Sequence, residues 1–255
     1  MNLIDTPEPP VKRTQELASP SHGDDAESRS LHRVREVAPL SPRALEDRRL
    51  IHRQDSARVQ ADAFRDLRTR LLTLGGKQNF VTLVVPVGHG CGGSFVARNL
   101  ALAFAFDEIK TALLVDCDAL HPSQHTVMGV NPVNGGLMDY LRDSSNGLQQ
   151  IQYPTGIPRM HLIPNGGRHE ISGEYFTSPR ARTMIDSLRG SNPDRYIILD
   201  GPSVLNSPDA RILSELADLV VLVAGYGKVT MKNIEEAAAN FDPAKLAGIV
   251  FNDLP

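Results

Sequence analysis

Residues 80–85, Phe-Val-Thr-Leu-Val-Val, make an apolar run of strand length that empties into Pro86-Val87-Gly88-His89-Gly90-Cys91-Gly92-Gly93-Ser94-Phe95, after which a helical pattern takes over across 94–106. A buried strand, a turn rich in glycine and a helix start, in that order, leave few folds open. The glycines let backbone N–H groups turn inward, and the helix N-terminus adds partial positive charge, so the turn is built like a cradle for phosphate. A glycine-rich turn with no ligand is the plainer alternative. Downstream, strand-length apolar runs recur at 112–115, 160–163, 196–199, 219–223 and 248–251, separated by helical patterns at 137–141, 179–188, 208–216 and 229–240. That alternation predicts an α/β fold, a mostly parallel sheet with helices on both faces. No internal repeat is visible.

Bulk properties narrow the rest. With 255 residues and a net charge of −3, one large domain plus a tail is the economical division, and nothing basic points to nucleic acid. The two cysteines show no paired spacing, and Met1-Asn2-Leu3-Ile4-Asp5 lacks a basic stretch followed by an apolar one. No apolar run approaches the roughly 20 residues of a membrane helix. A cytoplasmic protein is therefore expected, reaching an inner membrane only through a partner. Residues 1–45 are rich in Pro, Ser and charge, with few large apolar residues, and predict a disordered or loosely ordered arm. From about 42 to 74 the pattern turns helical, with Phe64, Leu67, Leu71 and Leu74 on one stripe. The expected division is an arm (1–45), a helical segment (46–76) and the α/β domain (77–255).

Acidic residues stand where two of the strand patterns end: Asp116 and Asp118 after 112–115, and Asp200 after 196–199. Strand C-terminal ends converge on the ligand crevice of an open α/β sheet. Three carboxylates there suit a magnesium ion and its waters, with one able to take a proton from a hydroxyl nucleophile. Ser94, opening the helix, adds a hydroxyl for the metal. Caps on the loops are the alternative role. His89, Cys91, Cys117, His121 and His125 crowd the same two loops, but their spacing fits no standard zinc pattern.

With these motifs in hand, residues 54–252 resemble the cytoplasmic domain of bacterial tyrosine kinases (BY-kinases), the capsular and exopolysaccharide group of the deviant P-loop class that includes MinD and ParA ATPases. In that family the glycine loop ends Gly-Lys-Ser-Thr with Asn-Leu-Ala further along the helix; here Gly92-Gly93-Ser94-Phe95 is followed by Asn99-Leu100-Ala101 in register. The family's Asp-x-Asp-x-Arg-x-Pro-Ser is similar to Asp116-Cys117-Asp118-Ala119-Leu120-His121-Pro122-Ser123, and its Asp-x-Pro to Asp200-Gly201-Pro202. Its Glu-x-x-Arg-x-x-Arg oligomerisation helix resembles Asp62, Arg65 and Arg68, although a solvated charged face explains that spacing as well. Asn252 falls where the family contacts adenine.

The resemblance implies a Rossmann-like P-loop fold, with ATP or ADP held by Gly88, Gly90, Gly92, Gly93, Ser94, Phe95 and Asn252. It implies Mg2+ on Ser94, Asp116 and Asp200, and catalysis by Asp116, Asp118 and Asp200. It also implies a membrane polysaccharide copolymerase (Wzz-type) as partner and a homo-oligomer built on Asp62, Arg65 and Arg68. The departures are as specific as the matches. Gly93 replaces the phosphate-gripping lysine, Phe95 the threonine and Leu120 the arginine, and no tyrosine follows Tyr226 where autophosphorylating members carry a cluster. Position 88, where the partition ATPases place a second lysine, is also glycine. Two readings stand: a regulatory pseudo-kinase of exopolysaccharide or capsule synthesis and export, with impaired phosphotransfer, or a working ATP-dependent tyrosine kinase or ATPase. A MinD/ParA-type ATPase fits less well, because both lysines it needs are absent.

Overall fold

The protein, described here from a computed structural model, is defined over residues 38–52, 54, 58–76, 79–143, 147–169 and 172–253. Most of the expected arm, 1–37, lies outside the described residues. Seven strands form one sheet: β1 (Val81–Pro86), β2 (Thr111–Asp116), β3 (Tyr153–Pro154), β4 (Met160–Ile163), β5 (Arg195–Asp200), β6 (Leu219–Gly225) and β7 (Leu246–Asn252). Their spatial order is β3-β4-β2-β5-β1-β6-β7, and every neighbouring pair is parallel except β3 with β4. The fold is the expected α/β arrangement.

Both sheet faces are covered, so the central strands are apolar along most of their length, with Thr82 a buried exception in β1. Along β1, Val81, Leu83 and Val85 face one core, shared with Leu113, Ile197, Leu199, Val220 and Leu222. Val84 faces the other, shared with Leu114, Ile198, Val221 and Val223. Two helices cover that second face: α2 (Arg58–Gly75) and α3 (Gly93–Ala105). α3 is buried almost throughout, its alanines 97, 101, 103 and 105 letting it lie close on the sheet. The first face takes α5 (Leu137–Arg142), α6 (Gly173–Phe176), α7 (Pro179–Ser191), α8 (Asp209–Ser214) and α9 (Met231–Ala238).

Differences from the sequence expectation have physical causes. The helical pattern of 42–74 is two helices, α1 (Pro42–Asp47) and α2, rather than one. Between them Arg49 adopts φ 53 and the backbone at 49–51 is held by Asn99: Ile51 N donates to Asn99 Oδ1 at 2.8 Å, and Asn99 Nδ2 donates to Arg49 O at 3.1 Å. A left-handed residue ends a helix, and the tertiary clamp keeps it ended. The short helix α4 (Gln124–Met128) and the two-residue β3 were not legible, being too short to show a period. Among the described residues no helix is long and apolar enough to cross a membrane.

Candidate active site

β1 delivers the glycine loop to the C-terminal edge of the sheet, between β5 and β6. Gly90 and Gly92 have φ of 76 and 86, the left-handed conformation that turns successive N–H groups inward, and Gly92 is the N-cap of α3. The loop is packed from both sides. A Cβ on Gly225, at the end of β6, would stand 2.9 Å from Cys91 Cα, and one on Gly92 would collide with the Asn252 amide. Asn252 Nδ2 donates to Cys91 O at 3.1 Å, so the residue expected at adenine braces the loop. The exposed Lys228 lays its stem over Gly225, 3.1 Å from where a Cβ would stand.

Opposite the loop lies a wall of carboxylates. Asp116 and Asp200 end β2 and β5 and are partners in register, both fully buried. Asp116 Oδ2 accepts from the N–H groups of Ser123 and Gln124 at 3.1 and 3.0 Å. Gln124, itself 0 % exposed, donates its side-chain amide to Asp200 Oδ2 at 2.6 Å and to Ser94 O at 2.9 Å. It thereby ties the wall to the first turn of α3. Burial, then the charge of Asp200, pushes the Asp116 carboxyl well above the usual range. Burial pushes Asp200 up to about 7, against hydrogen bonds from Gln124 and Ser94 that favour its charged form. Asp116 Oδ1, Asp200 Oδ1 and Gln124 Oε1 are buried without a hydrogen-bond partner. Two neighbouring carboxylates with unpartnered oxygens fit a divalent cation, so the residues present suit magnesium.

Asp118 takes a different part. Its Oδ1 accepts from the N–H groups of Leu120 and His121 at 3.2 and 2.9 Å, so it caps its own loop while adding negative potential to the pair. Burial pushes the Cys117 thiol well up, which keeps it protonated and unreactive. His89 and His121 face each other across the mouth with ring centroids 5.3 Å apart.

No family model matches the chain. It is 31% identical over 196 residues to the tyrosine-protein kinase wzc of Salmonella typhimurium, covering 76% of this chain and 27% of that protein. It is 27% identical over 198 residues to the tyrosine-protein kinase CpsD of Streptococcus agalactiae, covering 77% and 84%. The kinase domain of the Escherichia coli tyrosine kinase ETK superposes with a TM-score of 0.71 at 22% identity, over 85% of this chain and 88% of that one. The chain is a BY-kinase homologue. It spans about a quarter of the length of the Salmonella protein and most of CpsD. The fold likeness extends to MinD of Pyrococcus horikoshii, solved with Mg-ADP, at a TM-score of 0.54 and 24% identity over 68% of each chain.

Seen as a BY-kinase homologue, the chain uses several family positions for packing. Phe95, expected at the nucleotide, turns its ring to α2, 5.9 Å from Phe64 and edge-on, with Arg98 5.5 Å over its other side. Its ring thus helps to pack α2 on α3. Of the oligomerisation-like trio, Asp62 and Arg65 pair on the exposed face of α2 at 2.6 Å. Arg68 points inward, donating to Ala103 O at 3.0 Å, a last-turn carbonyl of α3, and lying 3.8 Å from Asp107. It fastens α2 to the domain, which the charge spacing alone did not show. Gln124 and the buried Arg98, whose guanidinium lies within the field of Asp200, were missed altogether. Nothing in the local pattern marks either.

Proposed function

We propose that this BY-kinase homologue is a regulatory pseudo-kinase of exopolysaccharide or capsule synthesis and export, cytoplasmic and recruited to the inner membrane by a Wzz-type copolymerase. One observation carries the reading: position 93, at the start of α3 in the loop, is a buried glycine, so the loop offers phosphates backbone N–H groups and no side-chain cation. A lysine there would make charge-assisted contacts worth about 1.5–3 kcal/mol each and neutralise charge in the transition state. The cradle and the carboxylate pair support binding of ATP or ADP through Gly88, Gly90, Gly92, Gly93 and Ser94, with Asn252 bracing the loop. Magnesium, when bound, supplies charge neutralisation to the phosphates; Ser94, Asp116 and Asp200 are the residues that would hold it.

The second reading, an active tyrosine kinase or ATPase completed by its partner, is favoured by the unpartnered oxygens of Asp116 and Asp200. There Asp116, Asp118 and Asp200 would be the catalytic acids, and Asp62, Arg65 and Arg68 the contacts of a homo-oligomer. Phosphate release and tyrosine phosphorylation, measured with and without the copolymerase's cytoplasmic segment, separate the two. Turnover above an Asp116→Ala control would overturn the pseudo-kinase; silence with the partner present would overturn the kinase.

A further inference from the structure

Pro86 closes β1 and stands directly beneath the start of α3. A Cβ built on Gly93 would lie 2.5 Å from Pro86 Cδ, 2.9 Å from Cγ and 3.1 Å from Cβ. The first two approaches are shorter than real Cβ atoms make and the third is tight, and a pyrrolidine ring has no rotamer through which to swing clear. Gly93 has ordinary helical backbone, so conformation does not demand glycine there; space does. Proline is tolerated at this point because the ladder with β5 has already ended at Val84 and only β6 still pairs alongside, so the missing N–H leaves no β5 bond unmade. The strand continues regardless, with Pro86 O accepting from Val204 N at 2.9 Å and Val87 N donating to Val223 O at 2.9 Å.

We propose that Pro86 and Gly93 are one interlocked unit, and that this pair determines which phosphates the loop can distinguish. With position 93 closed to any side chain, the loop grips through backbone N–H groups alone and is blind to the terminal phosphate: a nucleoside diphosphate and a triphosphate bind equally. The phosphate half of this proposal rests on the nucleotide reading of the site; the interlock does not.

The test is a pair of cycles on the full chain. In thermal unfolding, Gly93→Ala in the native background lowers Tm by about 5 °C through overpacking. In a Pro86→Gly background the same change leaves Tm level or raises it, because alanine is the better helix former. In calorimetric titration with ADP and ATP plus magnesium, wild type binds the two within about threefold. Gly93→Lys alone gains no preference, and Pro86→Gly/Gly93→Lys favours ATP by about tenfold or more, the worth of one charge-assisted contact. Additive Tm shifts would overturn the interlock. A tenfold ATP preference in wild type, or its appearance in Gly93→Lys alone, would overturn the blindness. Coupled Tm shifts with no nucleotide bound by any variant would uphold the interlock and overturn the cradle reading, and with it the phosphate half.

Discussion

The two walls of the crevice have gone different ways. On the carboxylate side Asp116 and Asp200 keep their register, their burial and a network through Ser123, Gln124 and Ser94, and oxygens remain open for a cation. On the loop side the backbone turn is retained with its left-handed glycines, but the side chain that would reach into it has no room. A binding shape held by backbone persists as long as the strand and helix around it pack. A function held by one side chain disappears with that side chain, and a neighbour such as Pro86 can then fill the space.

The contrast can be broken most directly at Gln124. Gln124→Ala removes one donor from the buried Asp200 carboxyl and one from the Ser94 carbonyl and should cost about 3 kcal/mol in urea unfolding. A loss under 1 kcal/mol would mean that the two walls are not tied together through this amide. Next comes pH. The unfolded chain releases its aspartate protons near pH 4, whereas burial holds the Asp116 and Asp200 protons to higher pH, about 7 for Asp200. Between those values the folded state binds more protons, so stability should fall as pH rises from about 4 to 7, by roughly 2–4 kcal/mol. Asp200→Asn should flatten this slope; an unchanged slope would place its origin elsewhere. The loop side should behave otherwise: Asn252→Ala, removing one half-buried hydrogen bond to Cys91 O, should cost about 1 kcal/mol and leave the pH slope intact. The smallest difference is on α2, where Arg68→Ala should cost about 1–2 kcal/mol and Arg65→Ala under about 0.5 kcal/mol, because Arg68 caps the Ala103 carbonyl and Arg65 pairs on the surface. Equal losses would show that Arg68 is not the fastening between helix and domain.

Much of this was legible beforehand. Apolar runs at 80–85, 112–115, 196–199 and 219–223 announced strands buried on both faces; the strands observed over the last three extend those runs by one or two residues at an end, and β1 sits one residue later than its run. Asp116 and Asp200 were legible because a parallel sheet sends every strand end to the same edge. The contact of Phe95 with Phe64 was not legible, because a motif aligns positions without saying which face of the helix each one takes. Gln124 was invisible because its partners are 30 and 76 residues away in sequence.

The sequence by itself determined the layered fold, the loop, the strand-end acids and the absence of a lysine at 93, because these follow from local periodicity and residue identity. Only the tertiary structure decided that Arg68 serves the core more than the surface, that Asn99 breaks the leading helix in two, and that Pro86 holds the space a side chain at Gly93 would need. Each is a contact between segments that meet only once the sheet has brought them together, and no local pattern encodes which side chains will touch.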